Sequence, residues 1–210
     1  GEKRWYRLRF IYSQAGVDYL QLEQSREVRF LKMVPLSFFK GYGITDYPYF
    51  FKTWLRKFPK PIIIIALKDR KLIGFVFIEE WGEGNARDGQ PVYTLRSIEV
   101  YEKNRRSGIG KMMALLSMTL TPGHIITKPI NEGAVRFFSK MGFKTPSDFI
   151  SPPIDMERHM DHMLITAWDK KKLMEENCID EMLLSELSTI KLRTDNVTED
   201  TSEQLMDKIS

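Results

Sequence analysis

The chain has 210 residues, 42% hydrophobic and 12% aromatic, with a net charge of +4 and one cysteine, Cys178. That is enough apolar material for one sizeable core, and a lone cysteine excludes an internal disulfide framework. No apolar run is long enough to span a bilayer and no charged-then-apolar leader is present, which points to a cytoplasmic chain without a membrane partner. Although the pI is near 9.0, the Lys and Arg residues interleave with acids, which argues against nucleic-acid binding.

Trp5 to Ile11 alternates basic with apolar residues and predicts a first strand. Helical stretches are expected through Leu20, Val28, Phe30 and Leu31, and then from Tyr49 to Phe58. Between them, Gly41 to Tyr49 combines turn formers with three tyrosines; it suits either a substrate-recognition loop or an aromatic seal over the core. Ile62 to Leu67 and Leu72 to Ile78, joined by Lys68-Asp69-Arg70-Lys71, predict an antiparallel hairpin covered on both faces, because neither run alternates. A glycine-containing loop, Gly82 to Gln90, leads to a strand from Val92 to Val100.

The next segment, Arg105-Arg106-Ser107-Gly108-Ile109-Gly110, follows that strand and opens a helix from Ile109 to about Leu120. Such placement makes an anion-binding turn. Glycines let backbone N–H groups close on a phosphate, and the helix N-terminus adds partial positive charge. Arg105, Arg106 and Lys111 surround the same point with cations. It is not a P-loop, because Arg105 stands where the first Gly belongs and Met112 follows Lys111. It is not a dinucleotide fingerprint, because the third Gly and the downstream acid are missing.

After a Pro122-Gly123 turn and a strand from His124 to Thr127 comes Asn131-Glu132-Gly133-Ala134-Val135-Arg136-Phe137-Phe138-Ser139-Lys140-Met141-Gly142-Phe143. Asn131 is a suitable N-cap, apolar residues recur at helical spacing, and Gly142 can end the helix. The R-x-x-G-x-G turn and this N-x-x-A-x-x-F-x-x-x-x-G-F segment together resemble the GNAT superfamily of acetyl-CoA-dependent N-acetyltransferases, over roughly Trp5 to Trp168.

That resemblance implies an α/β fold with a mixed, mainly antiparallel central sheet flanked by helices. It also implies acetyl-CoA as co-substrate and a primary amine, on a protein or a small molecule, as acceptor. Ile98 and Val100 would pair with the pantetheine arm. Arg105, Arg106, Ser107, Gly108, Ile109, Gly110 and Lys111 would hold the pyrophosphate, with Asn131 and Phe138 completing the cofactor site. The family often places a Tyr where Phe138 stands, so the proton donor to the departing thiolate must be sought elsewhere.

An alkyl amine is mostly ammonium at pH 7 and needs a base. Thr94, Arg96 and Ser97 occupy the positions where the family sometimes has a Glu, which leaves Glu80 and Glu99 as base candidates and Glu79 behind them. The alternative is a non-catalytic acyl-CoA-binding module. His159, Asp161 and His162 have a superficial metal-ligand look, but alternation along an expected strand from His162 to Trp168 sets the histidines on opposite faces, so no metal is expected. The acetyltransferase-like domain is expected over residues 1–168. Residues 169–210 form a helical extension and polar tail, in which Leu173, Cys178, Ile179, Met182, Leu183, Leu187 and Ile190 mark an apolar stripe. The stripe suits either packing on its own sheet or a homodimer.

Overall fold

A computed structural model describes residues 9–24, 32–37 and 47–179. Strands β1 (Arg9–Gln14) and β2 (Val17–Leu22) form a hairpin closed by Ala15 and Gly16, both left-handed at φ +52° and +76°. That turn matches the right-handed twist of paired strands. It also corrects the helix expected through Leu20: Val17, Tyr19, Leu20 and Leu22 are buried strand residues, since the tight turn commits the chain to pairing. Trp5 to Leu8, Val28 to Leu31, Gly41 to Asp46 and the stripe beyond Ile179 lie outside the described residues.

Strand β3 (Lys32–Met33), helix α1 (Tyr47–Leu55), and strands β4 (Ile62–Lys68), β5 (Lys71–Glu80) and β6 (Val92–Val100) follow. They lead to helix α2 (Ile109–Leu120), β7 (His124–Thr127), α3 (Glu132–Lys140), β8 (Met163–Ile165) and α4 (Ala167–Glu176). The sheet runs β1-β2-β4-β5-β6-β7-β8, with β3 on β5 at Lys71–Leu72, past the last β6 pair at Gly74↔Val100. All pairs are antiparallel except β6 with β7 and β3 with β5. This is the mixed, mainly antiparallel sheet flanked by helices that the resemblance implies.

Each face of the sheet carries its own core. On one face, α2, α3 and α4 cover Ile64, Val76, Ile78, Leu95, Ile125 and Ile165. On the other, α1 buries Phe51 and Leu55 against Ile63, Ile65, Phe75 and Phe77. Farther along that second face, loops 81–91 and 146–162 close over Val92, Ile126 and Leu164 with Ala86, Ile154 and Met156. Buried His124 joins these parts. The Ala167 N–H donates to its Nδ1 at 2.9 Å, so the proton sits on Nε2, which reaches Asp88 at 2.8 Å.

The last strand is shorter than expected. It ends at Ile165, and Thr166 caps α4 by accepting from the Asp169 N–H at 3.2 Å. Helix α4 thus runs through the Trp168–Asp169 junction. Leu173, Met174 and Ile179 pack on the first core, Ile179 at 1% exposure, while Cys178 is exposed. The described start of the apolar stripe is therefore covered by the chain's own sheet. Among the described residues no helix is long and apolar enough to cross a membrane.

Lys170 on α4 is buried, with its ammonium donating to the Thr121 carbonyl. Burial lowers its pKa from 10.5 to about 8. A cation kept out of water is disfavoured, so between those two values the unfolded chain holds a proton that the folded chain sheds. Stability therefore rises with pH through that window, and the full penalty applies below it. The urea midpoint of the wild type should therefore climb between about pH 8 and 10.5 relative to that of Lys170→Met, which lacks the titrating group.

Candidate functional site

Strand β6 pairs with β7 only from Val92↔His124 to Leu95↔Thr127, where the Thr127 hydroxyl donates to the Leu95 carbonyl at 2.9 Å. From Ser97 to Val100, β6 has a neighbour on the β5 side alone among the described residues. Successive residues of a strand direct their backbone groups to opposite sides. The Tyr101 N–H donates to Ile73 on β5, and the Val100 carbonyl accepts from Arg105 Nε at 3.0 Å on the other side. Ile98 and Val100 thus present their backbone N–H and C=O groups to the open side. A β-bulge between Phe77 and Ile78 sets Arg96 out of register just where the two strands part.

Beyond Val100 the chain makes a single helical turn at Glu102–Asn104, then reaches the expected anion turn. Arg106 is left-handed at φ +63° and Gly108 at φ +82°, and Gly108 is the N-cap of α2. The first helical bond is Met112 N–H to the Gly108 carbonyl at 3.0 Å. The N–H groups of Ile109, Gly110 and Lys111 therefore lack intrahelical partners and converge on the turn. Ile109 itself is buried, so its side chain anchors the helix while its backbone faces the turn. The Ser107 hydroxyl donates to the Asn104 carbonyl and closes the loop.

The cations divide into two roles. Arg105 folds back on the loop, donating to Val100 and lying 3.7 Å from the Glu99 carboxylate. Arg106 and Lys111 are exposed and make no ion pair among the described residues. Glu99, expected as a possible base, also accepts from the Ser37 N–H at 2.6 Å, so it ties the segment after β3 to the anion turn. Glu80 is exposed at the end of β5 beside Tyr93, whose hydroxyl pKa is raised by burial and by that carboxylate. Strand alternation from Ile78 puts Glu80 on the α2 face, away from the point where β6 and β7 part.

Asn131 caps α3, its Oδ1 accepting from the Ala134 N–H at 2.8 Å. Phe138, assigned by the sequence to the cofactor, is 4% exposed and packs edge-on against Phe143 in the core. Its neighbour Phe137 stands at the turn instead: a Cβ on Gly110 would lie 3.5 Å from the Phe137 ring and 3.6 Å from Val100. Both rings sit in one apolar stretch, and the rotation of α3 about its cap decides which one reaches the turn.

On the second face, Glu79 is held between Arg96 at 2.7 Å and Lys57 at 3.0 Å. Trp54 of α1 stacks on Phe77 at 4.3 Å. The histidines depart from expectation. His162 precedes β8 and lies in a turn closed by its N–H to the His159 carbonyl, so strand alternation does not separate them. Their rings meet edge-on at 5.0 Å, with Trp81 on the far side of His159 at 5.3 Å. His162 Nδ1 is 2.7 Å from Asp161, which also binds Lys128 at 2.9 Å. Lys128 first and His162 second pull the Asp161 pKa down to about 2. The spacing of His159, Asp161 and His162 was the available signal, masked by placing the strand too early.

A model of the acetyltransferase (GNAT) family matches residues 28–143, more than half of the chain. No curated protein sequence matches it significantly. Among solved structures, a mutant of the AtaT toxin bound to the C-terminus of the antitoxin AtaR is similar at 12% identity and TM-score 0.51, covering 75% of this chain and 96% of its own. The mutant toxin alone is similar at 12% identity and TM-score 0.50, over 80% of this chain and 99% of its own. Ard1 from Thermoplasma volcanium matches at 13% identity and TM-score 0.45, covering 71% and 95%. Identities this low speak to the fold alone. With the family match spanning β6, the anion turn and both motif helices, the chain belongs to the GNAT acetyltransferase family, whose co-substrate is acetyl-CoA.

Proposed function

We propose that the chain transfers the acetyl group of acetyl-CoA to a primary amine by direct attack in a ternary complex. The observation that carries this reading is the open edge of β6, which leads from the anion turn to the junction at Leu95 and Thr127. A pantetheine arm paired with Ile98 and Val100 would deliver its thioester to that junction. Arg106, Lys111, Ser107 and the free N–H groups of α2 suit the pyrophosphate, and Phe137 beside Gly110 suits the neighbouring arm. Arg105 and Glu99 would hold the loop in shape.

Direct attack is supported by the lack of an equipped nucleophile. Cys178 is exposed beyond α4, and no Cys or Ser is hydrogen-bonded to a histidine among the described residues. Buried Phe138 favours the second reading, an acyl-CoA-binding module without turnover, because that position supplies no hydroxyl to the thiolate. Incubation with acetyl-CoA and a panel of N-terminal peptides, lysine peptides and small amines, with free thiol followed over time, separates the two. Amine-dependent thiol release is expected, and tight CoA binding without release by any acceptor would establish the module.

Two variants test the turn. Gly108→Val forces a β-branched residue into a left-handed position and should weaken CoA binding at least about tenfold in calorimetry, with the protein still folded. Unchanged affinity would remove this turn from the cofactor site. Arg106→Gly relieves a left-handed non-glycine and should raise stability by about 1 kcal/mol while lowering CoA affinity. Thermal melts and calorimetry on one preparation read both signs.

A further inference from the structure

We infer that His162, oriented by Asp161, is the general base that takes the proton of the acceptor amine; this rests on the amine acetyltransferase reading above. An alkylammonium with a pKa of about 10.4 cannot attack a thioester until it loses a proton. The acids near the splay are committed to other groups: Glu99 to Ser37 and Arg105, Glu79 to Lys57 and Arg96. Glu80 faces the α2 side.

The register places His162 at the junction. Ile78, Leu95, Thr127 and Met163 form one row across four strands. One step beyond that row Lys128 follows β7 and His162 precedes β8; the His162 ring meets His159, His159 meets Trp81, and Trp81 packs on the core under the long loops, so the histidine pair lies on that second face. His162 stands across β7 from β6, one residue beyond Met163 in that row and at the end of the sheet where β6 and β7 part, so an amine bound at the parting would meet its imidazole directly or through a water.

The ring has the form of an oriented base. Ionised Asp161 at 2.7 Å fixes the proton on Nδ1, leaves the Nε2 lone pair to accept, and stabilises the imidazolium that results. Lys128 keeps Asp161 ionised. From behind, His159 packs on the ring while its own Nε2 is held by Glu83 at 3.3 Å, and Trp81 backs His159. The charged and titratable groups around His162 are thus Asp161, Lys128, His159 and, through His159, Glu83. The His162 side chain is 22% exposed, enough to meet a substrate.

The step balances. One ammonium proton moves to His162 Nε2, the amine lone pair forms the C–N bond, and the C–S bond breaks with its electron pair on sulfur. The second N–H proton leaves with that sulfur as the free thiol, and the imidazolium returns its proton to solvent.

The test uses the full chain, acetyl-CoA and the best amine of the panel. His162→Gln should bind CoA as wild type does and lower kcat/KM by about 10²- to 10³-fold at pH 7. The deficit should shrink toward pH 10, where the amine deprotonates unaided. Asp161→Asn, at an exposed residue, should fold normally and cost about tenfold with the same recovery at high pH, which keeps the test valid should His162→Gln fail to fold. A folded His162→Gln within twofold of wild type at pH 7, or a loss in either variant equal at all pH values, overturns the assignment while the amine reading stands. Absence of turnover by wild type with every amine overturns both.

Discussion

The parting of β6 from β7 is the constraint on which the rest of the structure depends. A parallel pair that stops after Leu95↔Thr127 leaves the backbone groups of Ile98 and Val100 without ladder partners among the described residues. Each such group, buried and unmet, costs about 1–3 kcal/mol, so the chain must either wet that edge or offer it to a ligand. Arg105 satisfies one carbonyl, that of Val100. The remaining groups lie along β6 between the glycine turn and the junction, where the proposed function sets the pantetheine arm.

Charge around that path is arranged by the same economy. Glu99 neutralises Arg105 and binds the Ser37 N–H, which joins the segment after β3 to the loop that precedes α2. With Arg105 engaged internally, the anion turn offers Arg106 and Lys111 outward, on a backbone held by the Ser107 bond and the two left-handed residues. An arginine in that conformation is strained by about 1 kcal/mol or more. The Ser107 hydroxyl on the Asn104 carbonyl closes the turn around it.

How much of this was legible in the sequence depended on how local each cause was. The β4–β5 hairpin, β6, the turn and α2 are set by adjacent residues: apolar runs, Gly108 at the helix start, the Lys68 to Lys71 turn. Asn131 capping α3 is of the same kind. Where the structure differs, or where residues alike in the sequence part company, the causes are distant. Residues 17–22 looked helical until the Ala15-Gly16 turn paired them with β1 and β4. Phe137 and Phe138 are indistinguishable by hydrophobicity, and only the packing of α3 against α2 separates a core ring from one at Gly110. The faces of the histidine pair were misjudged because the chain turns from His159 to His162, closed by the His162 N–H on the His159 carbonyl, ahead of the strand from which alternation is counted.

The two faces of the sheet then acquire different duties. The face under α2, α3 and α4 is largely apolar near the junction, and it holds the helix that opens at the glycine turn. The opposite face is apolar under α1 and again under the long loops, but between them it carries Glu79, Arg96, Lys128, Asp161 and the histidines. Proton transfer needs such a polar, partly wetted strip, whereas a thioester is best held where water is scarce. Under the proposed reading the two environments meet where β6 leaves β7, the donor arriving along the edge of β6 and the acceptor from the polar strip on the far face.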